Sequence, residues 1–274
     1  MKSFFSLQDK VIVITGAAGL LGQKHAEAIA AFRGNPILLD LSKKAVDEVA
    51  SRLKETYHVK ASGFAVDITD ESQIKVCSKQ LFERFGKVDG LINNAANNPK
   101  VESKSGQDFS RLENFPVETW NQDIAVGLTG AYLCAKHFGA KIAQNPSGGS
   151  IINISSDLGV IAPDQRLYLK EGLPEDQQPV KPVTYSVVKT GLIGLTRYLA
   201  TYWADKNVRC NALCPGGVYA GQNSAFLKEV SARIPMGRMA QPNEYQGAIV
   251  FLCSDDASYM NGAVLSMDGG RTAW

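Results

Sequence analysis

The chain has 274 residues, 45% of them hydrophobic and 20% charged, with a net charge of +2. That is enough chain for one large α/β core, and so even a charge balance leaves no footprint for nucleic acid. No apolar run approaches the roughly 18 residues that a membrane-spanning helix needs. The start, "MKSFFSLQDK", has too short an apolar stretch for a secretory signal. Cys77, Cys134, Cys210, Cys214 and Cys253 form no CxxC pair and sit mostly among apolar residues. They read as reduced, buried thiols of a cytoplasmic protein. His25, His58 and His137 are scattered, so no metal site is expected.

Taken in chain order, short apolar runs alternate with helix-length amphipathic segments. "VIVIT" (11–15), "PILLD" (36–40), "GFAVD" (63–67), "DGLIN" (89–93), "SIINIS" (150–155), "VRCNAL" (208–213) and "AVLSM" (263–267) read as strands. Near-continuous apolar runs suit a parallel sheet covered on both faces. Segments 43–56, 70–86, 117–144, 184–205 and 242–254 read as helices. This alternation predicts a Rossmann-like, doubly wound α/β fold of about seven strands, with helices on both faces, as one domain over 1–274. The irregular stretches are 96–116 and 157–183; loops that long inside a compact domain usually carry function.

"VIVITGAAGLLG" places Gly16, Gly19 and Gly22 between the first strand and a helix. Small residues there let the backbone approach a pyrophosphate, whose charge the helix N-terminus stabilises. Asp40 ends the second strand, 18 residues after Gly22. A carboxylate at that place suits the adenosine ribose hydroxyls of NAD and repels the 2′-phosphate of NADP. Capping of the helix near Ser42 is its other available role. Lys43 and Lys44 leave NADP as the less favoured cofactor.

Three tyrosine–lysine pairs have the i,i+4 spacing of one helix face: Tyr132/Lys136, Tyr185/Lys189 and Tyr202/Lys206. Spacing alone does not choose among them.

Together, "VITGAAGLLG", "VDI" (66–68), "DGLINNAA" (89–96), "IINISS", "YSVVK", "CPGGV" (214–218) and "MDGG" (267–270) resemble, in order, the motifs of the classical short-chain dehydrogenase/reductase family. The resemblance spans about 10–270. It implies cofactor contacts from Gly16, Gly19, Leu21, Gly22, Asp40, Asp67, Ile68, Asn93, Asn94, Ala95, Pro215 and Val218. It also implies a homodimer or homotetramer acting on a small-molecule substrate. The family's catalytic serine ends the strand before the tyrosine's helix, so the match selects Ser156, Tyr185 and Lys189, the last two also touching cofactor. A free phenol is a poor base at neutral pH, and a nearby ammonium favours its ionised form. Tyr185 is then the general acid/base, and Ser156 stabilises charge on the substrate oxygen.

Three departures qualify the match. The glycine spacing, with Leu20 in place of a glycine, is commoner among sugar-nucleotide epimerases and dehydratases, yet the chain ends at the short family's final strand. Gly127 in "AVGLTG" stands where the family carries a catalytic asparagine that bends its helix; glycine permits the bend without the side chain. Ser156 and Tyr185 lie 29 positions apart, much more than is usual, because of an insertion near 163–182. Its charges and four prolines predict a polar substrate such as a sugar or sugar derivative, with Arg166 as the leading group to grip a carboxylate or phosphate. A catalytically impaired nucleotide-binding protein and a sugar-nucleotide epimerase or dehydratase are the alternatives.

Overall fold

The computed structural model describes residues 4–97 and 110–274. Seven strands form one parallel sheet: β1 (Val11–Thr15), β2 (Asn35–Asp40), β3 (Ser62–Ala65), β4 (Gly90–Asn93), β5 (Gly149–Ile154), β6 (Val208–Pro215) and β7 (Val264–Met267). Their order is β3-β2-β1-β4-β5-β6-β7. In β1, Ile12 and Ile14 enter one core and Val11 and Val13 the other, as side chains alternate across a strand. Both faces are therefore dry, which is why these strands read as unbroken apolar runs.

Helices Leu20–Ala31, Lys43–Tyr57 and Gln246–Cys253 cover the first face through Ile29, Leu53 and Ile249. Helix Glu71–Phe85, the helical run 117–142 and helix Val183–Tyr202 cover the second through Leu81, Phe138 and Leu199. All five cysteines are free and buried. Among the described residues, no group of three His, Cys, Asp or Glu could hold a metal ion, and no helix is long and apolar enough to cross a membrane.

The differences from the expected elements are local. The run 117–142 contains two π turns, Ala125–Thr129 and Ala135–Gly139. A helix at Ser224–Ser231 was not expected. The insertion carries short 3-10 turns at Asp157–Gly159, Gln165–Tyr168 and Glu175–Gln177. Most of the irregular stretch 96–116 lies outside the described residues. The strand order reverses between β1 and β4, and a crevice opens at their carboxyl ends, where doubly wound sheets bind ligands.

Candidate active site

The crevice is a continuous cleft of about 1390 Å³, running from the glycine turn to the insertion. Its floor is locked by backbone approach. Gly16 has φ +62°, and a Cβ there would lie 2.8 Å from the Ala95 Cα. A Cβ on Gly22 would lie 2.2 Å from the Gly16 carbonyl oxygen, so only glycine lets this turn close onto its helix. Thr15 Oγ1 accepts from the backbone N–H of Asn94 and Ala95 at 3.0 and 3.1 Å. Asn94 Nδ2 donates back to the Thr15 and Gly16 carbonyls. These bonds tie the end of β1 to the end of β4 at the switch point.

Asp40 borders the cleft at the end of β2, its Oδ2 accepting from the Ala18 N–H at 3.0 Å. It does not cap the next helix; Ser42 does, accepting from the Ala45 N–H. Leu21, Asp67, Ile68, Asn94, Ala95, Pro215 and Val218 border the cleft with Gly16, Gly19 and Asp40. Gly22 supports the turn from behind. Asn93 does not reach the cleft: it is buried, its Nδ2 donating to Asn153 Oδ1 at 2.8 Å across β4 and β5. Being the last residue of β4, it points into the core where its neighbour Asn94 points out.

Ser156, Tyr185 and Lys189 converge on one wall of this cleft. Lys189 is buried and donates from Nζ to the Ile154 carbonyl at 2.8 Å. Burial, and then the neighbouring ammonium of Lys181, pull its pKa down to about 8. The Tyr185 phenol is raised above its ordinary value by burial, while hydrogen bonding with Ser156 works to lower it. In the protein alone the phenol is governed by its burial and not by Lys189. Of the other pairs, Lys136 binds Glu71 and Tyr132 is exposed, while Tyr202 stacks on Tyr198 at the surface.

Gly127 lies in the first π turn, facing the catalytic helix. A Cβ at this position would lie 2.5 Å from Val188 Cγ1, so an asparagine side chain would collide with the residue next to Lys189. A π turn is present there without it, and π turns often mark functional sites.

Asp157, readable in the sequence only as an acid within reach of a polar ligand, and Arg271, which no motif marks, build the serine's surroundings. Asp157, buried beside Ser156, accepts from Ser156 Oγ at 2.7 Å and from Arg271 Nη1 at 3.0 Å. Arg271 comes from the 3-10 turn Arg271–Ala273 at the end of the chain. A buried ion pair thereby fixes the serine's hydroxyl.

The insertion is docked, not free. Leu167 is buried against Val230, Ile234 and Met239, which joins the insertion to helix Ser224–Ser231 and the segment after it. Arg166 does not offer its guanidinium to a ligand: Nε and Nη2 both bind Asp164 at 2.8 Å. Arg233 holds the same carboxylate at 2.7 Å. The two arginines keep the Asp164 carboxyl well below the usual carboxylate range.

The cleft fits a nicotinamide dinucleotide on its own terms. Helix Leu20–Ala31 begins at Gly19 with no side-chain cap and no acid in its first turn, so its N-terminal amides are free for a pyrophosphate. Residues 10–168 match the family model described as short chain dehydrogenase. Residues 175–272 match the one described as enoyl-(acyl carrier protein) reductase. The chain belongs to the classical short-chain dehydrogenase/reductase family. It is an oxidoreductase of that family, acting on CH–OH groups with a nicotinamide cofactor. It is 32% identical over 269 residues to the cis-4-hydroxycyclohexanecarboxylate dehydrogenase of Sinomonas cyclohexanicum, covering 97% of each chain. The fold of an NAD+-bound xylitol dehydrogenase matches with a TM-score of 0.82 at 25% identity, covering 96% of this chain and 99% of that one. A gluconate 5-dehydrogenase from Burkholderia cenocepacia J2315, in complex with NADP and tartrate, matches in fold at 0.85 and 24% identity, covering 98% of each.

Proposed function

We propose that this short-chain dehydrogenase/reductase interconverts a small polar alcohol and its ketone with NAD in preference to NADP. The observation that carries this reading is the convergence of Ser156, Tyr185 and Lys189 on a cleft that begins at an uncapped glycine turn. A nicotinamide dinucleotide held by its pyrophosphate at that turn would supply the hydride acceptor or donor. Ser156, whose hydroxyl proton is held by Asp157 in the protein alone, turns that proton to the substrate oxygen. Tyr185 takes the hydroxyl proton in oxidation and returns it in reduction. Lys189 holds the nicotinamide ribose and, with the positive charge of oxidised cofactor, favours the phenolate that desolvation opposes. Asp40 supports NAD, since a carboxylate at the end of β2 disfavours the 2′-phosphate of NADP.

The remaining contacts of the reading are Gly16, Gly19, Leu21, Gly22, Asp67, Ile68, Asn94, Ala95, Pro215 and Val218 for cofactor. The chain works as a homodimer or homotetramer, for which the exposed, stacked Tyr198 and Tyr202 offer apolar surface. The experiment is a screen of polyols, sugars and hydroxy acids with each cofactor, read as absorbance of reduced nicotinamide. Turnover that Tyr185→Phe abolishes supports the reading. Absence of turnover across the screen with both cofactors would refute it.

A further inference from the structure

One cation in the cleft is not used by the proton chemistry. Lys181 borders both the main cleft and a water-sized space behind Tyr185, and its Nζ lies 3.7 Å from the centre of the Tyr185 ring. The other basic groups of the cleft are spent or solvated. Arg166 is bound to Asp164, Arg271 to Asp157 and Lys189 to the Ile154 carbonyl, while Lys170 is exposed. Among the described residues, no carboxylate or carbonyl accepts a hydrogen bond from Lys181 Nζ. Asp157 is near enough for its charge to be felt, yet burial dominates and pulls the ammonium down to about 8. It is still charged at neutral pH, partly desolvated and short of a counter-charge, a state that an incoming anion relieves.

Its placement is also fixed. The Lys181 N–H donates to Gln165 Oε1 at 2.8 Å, and the Val180 N–H to Ser110 Oγ at 2.9 Å. Pro182 follows directly and caps the helix that carries Tyr185 and Lys189. The cation is therefore presented from a backbone anchored at two successive residues, which is what orienting a substrate demands. Tyr168, Phe226 and Met239 give the same cleft an apolar wall, suited to a carbon skeleton.

We propose that Lys181 determines substrate choice by holding the carboxylate of a small hydroxy acid, or of its oxo-acid product, while Ser156 and Tyr185 engage the reacting hydroxyl. This rests on the alcohol/ketone reading above. The test is a panel of hydroxy acids, including gluconate and 4-hydroxycyclohexanecarboxylate, each paired with its uncharged carboxamide. Wild type, Lys181→Gln and Lys181→Arg are compared by kcat/KM, with cofactor affinity as the check of folding. Wild type should prefer at least one acid over its amide, and Lys181→Gln should erode that preference about tenfold or more. Lys181→Arg should restore part of it. Equal losses on acid and amide, or no acid preference anywhere in the panel, would overturn the proposal. If nothing in the panel is turned over, charged or neutral, the polar alcohol/ketone reading fails by itself. The proposal is then judged by calorimetric binding of the same acids to cofactor-loaded protein, where equal affinity for wild type and Lys181→Gln overturns it.

Discussion

The two halves of the cleft are built differently. The cofactor half, from Gly16 to Ala95, is held by backbone: glycines at touching distance and main-chain N–H groups meeting Thr15 Oγ1. The substrate half is held by side chains far apart in the chain, Asp157 on Arg271, Asp164 on Arg233 and Leu167 on Val230. A backbone cradle tolerates few changes and binds a constant ligand. A side-chain scaffold can be rebuilt residue by residue around a different substrate. The helix Val183–Tyr202 joins the two, with Lys189 on the cleft wall and Lys181, just before the helix, bonded to the insertion through Gln165.

The largest effect should come where the halves meet. Tyr185→Phe is expected to lower turnover ~10²–10⁴-fold while NAD affinity, measured by fluorescence titration, stays close to wild type. Tyr132→Phe should leave turnover near wild type; an equal loss there would break the choice among the three pairs. Next comes the frame of the substrate half. Arg271→Met leaves Asp157 buried without its partner and should cost about 3–5 kcal/mol in urea unfolding. Adding Asp157→Asn should recover part of that, although Ser156 then loses its charged acceptor. A smaller, purely cofactor-side effect is expected from Asp40→Ala: weaker NAD binding and relieved repulsion of NADP, so that the ratio of their dissociation constants narrows. Tighter binding of NADP than of NAD by the wild type would overturn that assignment.

The cofactor half also has an acid-sensitive point. His25, in the helix after the glycine turn, is fully buried and neither ring nitrogen has a partner among the described residues. Burial lowers its pKa from 6.5 to about 3. Above pH 6.5 it is neutral both folded and unfolded and contributes no pH dependence. Between about pH 6.5 and 3 the unfolded chain holds a proton the folded one refuses, so its share of stability falls with pH, by up to about 1.4 kcal/mol per unit. The stability difference between wild type and His25→Leu should therefore shift against wild type on acidification from pH 7 to 5. A pH-independent difference would contradict this.

The same contrast explains what could be read from the sequence. Strand cores and the glycine turn are local patterns, so all seven strands and the cofactor cradle were visible as apolar runs and spacing. Asn93 was misplaced because adjacent strand residues face opposite ways, and the motif alone does not say which asparagine faces the cleft. Arg166 looked available because its acid, Asp164, two positions back, is shared with Arg233, 69 residues from that acid. Arg271 reaches Asp157 across 114 positions, which no local pattern announces. Helix Ser224–Ser231 did carry a signal: Asn223 caps it by accepting from the Phe226 N–H, and its apolar side turns to Leu167.

Excision of the insertion tests the division between the halves most directly. Replacing residues 165–180 with a short Gly-Ser link removes Leu167 and the Arg166–Asp164 clamp but leaves the cofactor cradle and Ser156, Tyr185 and Lys189 in place. NAD affinity and substrate kinetics would be measured on the same preparation. NAD affinity is expected to stay nearly unchanged, with KM raised or specificity broadened. Substrate kinetics equal to wild type would contradict this, because the insertion would then be surface and the substrate half would not be built by these residues.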